Sequence, residues 1–187
     1  SKIVFLNANT GWAVGGGPYN TGKVFRTVNG GANWTEVQVG SEGHLYDVQF
    51  LDALNGFICG DYGRVFRTSD GGASWTAIPI VDWTYYNMYS MCWFDSQNGW
   101  VGADNGAMFR TTNGGASWTS TWVGYWGASK EMQKLDANTM FIALDTPYNT
   151  PGVLKSTSMQ DAYPWWTRMN EDANEYHIDN VRWSINP

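Results

Sequence analysis

Apolar runs of strand length, separated by Asx and Gly turns, follow one another along this chain. One unit runs from Tyr46 to Leu51, through an Asp/Asn turn to Gly56–Gly60, and through a tight turn at Asp61-Tyr-Gly63 to Val65–Thr68. A Gly-Gly turn then leads to a run that begins at Trp75. Such a succession predicts a four-stranded antiparallel meander. Large apolar residues lie on both faces, Val48 and Phe50 alternating with Leu51, so each sheet needs cover on both sides. Radial stacking of sheets supplies that cover.

The pattern repeats. Lys23-Val-Phe-Arg-Thr-Val-Asn-Gly-Gly-Ala-Asn-Trp-Thr35 returns almost unchanged at Arg64 to Thr76 and at Ala107 to Thr119. A second landmark, Leu6 to Trp12, returns at Leu51 to Phe57, Phe94 to Trp100 and Leu135 to Phe141. A period of about 40 to 45 residues per four-stranded unit marks a β-propeller. The fold class expected is therefore all-β, a propeller segment of four blades plus the first strand of a fifth. The blades fall at about 1–39, 44–80, 87–123 and 128–169 within a single segment 1–187, and 176–185 is the extra inner strand. In the fourth unit Gly152 to Ser158 starts like the others, but Met159 to Pro164 replaces the Gly-Gly turn. An open arc is expected, completed by further residues or by another chain.

In the box Thr68-Ser-Asp-Gly-Gly-Ala-Ser-Trp75, Asp70 is expected to accept backbone N–H bonds from just downstream, the glycines to take positive φ, and the Trp to bury its ring under the turn. Asn29 and Asn113 replace the Asp in the other boxes. A catalytic carboxylate could not be exchanged so, and the boxes read as scaffold. They resemble Asp-box (BNR, bacterial neuraminidase) repeats. With Gly11-Trp-Ala-Val-Gly15 added, the chain is most similar to photosystem II assembly factor-like propellers, and more distantly to sialidase-, xyloglucanase- and sortilin-type propellers. The resemblance covers about residues 1–170 and implies a propeller with the boxes between strands three and four; it does not imply one activity.

Composition narrows the function. The net charge is −6 and only 15% of the 187 residues are charged, which argues against nucleic acid. No run approaches a membrane span, and no segment resembles a signal peptide. A chain beginning at Ser1 fits a mature secreted protein or an excised piece. Cys59 and Cys92 sit in apolar runs of successive units, a placement that argues against a bridge, and His44 and His177 lack metal-ligand spacing. No cofactor is expected.

For catalysis, the sialidase resemblance would imply an Arg triad and an Arg-Ile-Pro motif, and no Arg-x-Pro occurs. Arg26, Arg67 and Arg110 hold one repeat position and are expected to bond neighbouring blades or solvent. Asp47 and Glu131 share an inner-strand position two blades apart, a separation that predicts too large a gap for a glycosidase pair, which needs about 5 to 9.5 Å. Asp61 and Asp104 read as turn formers. The photosystem relatives imply a basic patch, and this acidic chain shows no equivalent.

The irregular segments carry the candidate chemistry. Blade linkers and the turns between strands two and three open on the side opposite the boxes. They collect Trp83, Tyr85, Tyr86, Trp122, Tyr125 and Trp126, with Tyr89 nearby, and Tyr19 and Tyr148 stand in the repeated string Pro-Tyr-Asn-Thr. Aromatic rings with a polar edge suit sugar faces or a protein interface. The expected function is a non-catalytic, secreted or cell-surface module that binds a glycan or protein through this face. One alternative is a fragment of an Asp-box glycoside hydrolase. Another is an assembly factor or repeat subunit, self-associated or completed by a partner chain.

Overall fold

The computed structural model describes residues 1–17, 21–40, 43–78, 80, 85–146, 152–161 and 163–169. The fifth-blade strand expected at 176–185 lies outside them. Among the described residues four sheets form, each of four antiparallel strands in chain order. The first holds β1 (Lys2–Phe5), β2 (Gly11–Gly17), β3 (Thr21–Thr27) and β4 (Thr35–Val37). The second holds β5 (Leu45–Phe50), β6 (Gly56–Gly60), β7 (Val65–Thr68) and β8 (Thr76–Ala77). The third holds β9 (Met88–Trp93), β10 (Gly99–Ala103), β11 (Ala107–Thr111) and β12 (Thr119–Trp122). The fourth holds β13 (Ala128–Lys134), β14 (Met140–Asp145), β15 (Gly152–Ser156) and β16 (Thr167–Arg168). The first strands pack side by side, β1 on β5, β5 on β9 and β9 on β13, as the inner strands of propeller blades do.

Each blade is a meander because its turns are chemically specified. In the second box the Thr68 hydroxyl accepts the Gly72 N–H at 2.9 Å, and Asp70 Oδ1 accepts those of Ala73 and Ser74 at 3.0 Å. Asn29 and Asn113 accept the equivalent bonds through their amide oxygens. The first box glycine takes positive φ in each case (Gly30 70°, Gly71 71°, Gly114 70°), which a side chain would oppose. Its N–H donates to the turn between strands one and two, at the carbonyls of Asn9, Leu54 and Gln97. Boxes and first turns therefore share one side of the arc. The box tryptophans are only partly covered: Trp75 and Trp118 are half-buried, and Trp34 is 37% exposed.

The opposite side is built from the linkers and the turns between strands two and three. Asp61 Oδ2 accepts the His44 N–H at 2.7 Å, and Asp104 Oδ2 accepts that of Asn87 at 2.9 Å. Each acid pins the chain as it enters the inner strand of its own blade. The core lies between blades. Trp12 stacks on Phe50, and Phe57 on Trp93, both at 3.5 Å. Cys59 and Cys92 are buried and unbridged.

Candidate functional site

Inner strands two, three and four each carry one residue too many for their partner. The register shifts at Tyr46, Tyr89 and Lys130, and a bulge of this kind re-aims a side chain away from the ladder. The three form a row on the linker side. The Tyr46 and Tyr89 rings lie 4.8 Å apart, and Lys130 Nζ stands 4.3 Å above the Tyr89 ring. Each meets the acid of its own blade's second turn. Burial and a hydrogen bond to Asp61 push the Tyr46 phenol well up, burial and Asp104 raise that of Tyr89, and Lys130 pairs with Asp145 at 3.6 Å.

Below the row, Lys2, Asp47, Ser90 and Glu131 hold one register position, opposite Val14, Cys59, Gly102 and Ala143. Lys2 Nζ lies 2.9 Å from Asp47 and 2.9 Å from Glu131. The gap expected between these carboxylates is therefore not found: both meet one ammonium and are at most twice that distance apart. The long Lys2 side chain reaches from blade one to blades two and four. Burial works against its charge, but the two carboxylates outweigh it and hold the ammonium above its ordinary value. Asp47 also accepts the Val48 N–H on one oxygen and the Met91 N–H on the other, both at 2.8 Å. Ser90 Oγ donates to the Ser129 carbonyl at 2.7 Å. The position thus ties the inner strands together.

The repeated arginines do not converge. Arg26 lies against Gly71 and Arg67 against Gly114, each in the next blade's box, and Arg110 donates to the Asp161 and Gln160 carbonyls of blade four at 2.8 and 3.1 Å. Their role is blade-to-blade, as the repeat position suggested.

Of the aromatic candidates, Trp83, Tyr19 and Tyr148 lie outside the described residues. Tyr85 is 94% exposed. Tyr86 turns inward, its ring 6.2 Å from Phe109. Trp122 ends β12, and Tyr125 and Trp126 line one cleft in the linker that follows it; all three are exposed, Trp126 by 71%. Tyr125 is covered on one side by Arg168, whose guanidinium carbon sits 5.9 Å from the ring centre. Beside Trp126 an open cleft of about 550 Å³ is lined by Asp104, Asn105, Ala128, Asp145 and Thr146. The turn holding Asn105 is fixed by its positive φ of 58° and by the Gly106 N–H, which donates to the Gly127 carbonyl at 2.6 Å. Sequence reasoning found the rings but not Lys2, Tyr46 or Lys130, whose only signal was their shared place one blade to the next. Among the described residues no cluster of His, Cys, Asp and Glu could hold a metal ion, and no helix is long and apolar enough to cross a membrane.

Comparison with curated proteins gave no match. Solved structures resemble the chain as folds. YCF48 bound to D1 peptide matches at 21% identity and a TM-score of 0.62, over 86% of this chain and 46% of that one. YCF48 from Cyanidioschyzon merolae matches at 16% and 0.59, over 83% and 50%. The GH74 enzyme of Niastella koreensis matches at 18% and 0.68, over 91% and 30%. The chain thus spans half or less of the length of each. At the level of sequence, the family described as photosynthesis system II assembly factor YCF48 matches residues 26–145, the stretch that holds all three boxes and the Tyr46–Tyr89–Lys130 row. The chain is a β-propeller that belongs to this YCF48 family.

Proposed function

We propose that the chain is a non-catalytic recognition propeller that holds a segment of a protein partner on its linker side, in the manner of an assembly factor. The observation that carries this is the exposed Tyr125 and Trp126 rings of the linker between β12 and β13, with the exposed Trp122 at the end of β12 just before it, on the side away from the scaffold boxes. Exposed aromatic clusters with polar edges mark interaction surfaces. The family supports a protein partner, and one solved relative is described as bound to a D1 peptide. Hydrolysis by Asp47 and Glu131 is disfavoured because Lys2 bridges the two carboxylates and the Asp47 side chain is buried.

A second reading, glycan binding by a secreted or surface module, is favoured by one feature: the Trp126 ring stands bare beside Asn105, Asp104 and Asp145. A displayed random-peptide library and a glycan array, each run on the native chain and on Trp126→Ala, decide between them. Enriched peptides that the variant no longer retains support the first reading. Glycan signal lost in the variant, with no peptide enrichment, replaces it with the second. Equal retention by both proteins would sink the rim as the site.

A further inference from the structure

We infer that Trp126 is the dividing wall of a two-sided peptide site that takes a basic side chain on one face of the indole and an aliphatic one on the other. The inference rests on the protein-binding reading and names the chemistry of its partner. Trp126 and Thr146 line two clefts at once. The larger, of about 550 Å³, carries the Asp104 and Asp145 carboxylates and the Asn105 amide. The smaller, of about 190 Å³, is walled by Leu144, Leu154 and the Tyr125 ring, with Arg168 at its edge.

The two sides differ in charge and in size. Asp104 accepts the Asn87 N–H through one oxygen, and Lys130 stands 3.6 Å from Asp145, so a single ammonium stands against two carboxylates and the larger cleft stays negative. An ammonium or guanidinium entering it would meet an exposed indole face as well, and a cation over Trp is favoured by the ring quadrupole. The smaller cleft offers aliphatic walls and room for a side chain of Val or Leu size. In an extended peptide, side chains two residues apart point the same way about 7 Å apart, so one segment can reach both of the clefts that Trp126 lines. The partner is therefore an extended basic-x-aliphatic segment.

The wall is also held in advance of binding. On one side the Gly127 carbonyl accepts the Gly106 N–H, and on the other Arg168 covers the Tyr125 ring. A preset surface loses less freedom when it binds.

The test is fluorescence anisotropy with three labelled peptides that differ at one place: Gly-Ser-Arg-Ser-Leu-Ser-Gly, the same with Glu for Arg, and the same with norleucine for Arg. The Arg peptide should bind at least about tenfold more tightly than the other two. Asp145→Asn should remove most of that preference, and Trp126→Ala should weaken all three. Thermal melts of each variant check that the blades remain folded. Equal binding of the Arg and Glu peptides, or an Asp145→Asn variant that keeps the preference, overturns the inference. If library peptides bind through Trp126 but lack basic residues, the protein-binding reading stands and this inference falls. If no peptide of any kind binds, that reading falls too.

Discussion

A single hydroxyl shows how each box is held. Thr68 is buried, accepts the Gly72 N–H and donates to Asp70 at 2.7 Å, and Thr27 and Thr111 repeat the arrangement. Thr68→Val keeps the shape but leaves the Gly72 N–H without its acceptor. Its expected cost is about 1 to 3 kcal/mol, read as a lower urea midpoint. Asp70 titrates in a predictable direction. The Ser74 hydroxyl, the Ser74 N–H and the Thr68 hydroxyl hold its carboxyl far below the usual range. A depressed folded value means that its contribution is present above the ordinary carboxylate pKa and is lost as pH falls through the lower folded one. Thermal melts of Asp70→Asn between about pH 2 and pH 6 should show a shallower loss of stability in acid than the native chain, with the fold retained. Retention is expected because Asn29 and Asn113 already do this work. The boxes were legible in the sequence because their chemistry is local, each bond spanning two to four residues.

Between elements, the landmark Asn-Gly-aromatic shows what the sequence left unexplained. Gly56 and Gly99 lie directly under the Phe50 and Trp93 rings, where an added Cβ would come within 2.7 and 2.5 Å of ring atoms. Each ring in turn receives one from the preceding blade, Trp12 on Phe50 and Phe57 on Trp93. Where blade four puts Lys134 at that register, no glycine is needed and Met140 takes the place. Lys134 then reaches back to the Trp93 and Phe94 carbonyls at 3.1 and 3.2 Å. Trp93 is fully buried, whereas its counterpart Phe5 is 45% exposed. Trp93→Ala should therefore cost about 3 to 5 kcal/mol and Phe5→Ala under about 1 kcal/mol, measured by denaturant unfolding. Equal losses would mean that the stack does not hold the blades. The glycine was visible in the sequence, but the ring above it comes from a neighbouring strand.

For the whole molecule, the inner-strand residues measure how the arc closes and where it stays open. Lys2 joins blades one, two and four through Asp47 and Glu131. With 34% of its side chain in water, its replacement in Lys2→Met should cost about 1 to 2 kcal/mol, less than breaking a fully buried pair. Its folded pKa is raised, so this contribution is full below the ordinary Lys value and fades only as pH climbs through the higher one. Chemical unfolding at neutral pH would read the loss. Among the described residues the exposed flank is blade one. Ile3 is 58% exposed, while Val48 and Met91, its counterparts, are 2% and 3%. Light scattering should show association that rises with concentration and is suppressed by Ile3→Lys combined with Phe5→Lys. A monomer at all concentrations would show that this flank is covered.

The four-blade plan was written in the sequence because a repeat states its own register: each box, landmark and turn is specified by neighbours a few residues away, and three near-copies remove ambiguity. The separation of boxes from aromatic linkers followed from the same strand count. What only the tertiary structure decided were meetings between blades. Asp47 and Glu131 stand 84 positions apart in the chain, and nothing local said that Lys2 would bridge them. The bulges that aim Tyr46, Tyr89 and Lys130 at their acids, and the two clefts on either side of Trp126, likewise depend on how one blade turns against the next. Periodicity is a property of the chain, but the angle between blades is set by side chains packing across it.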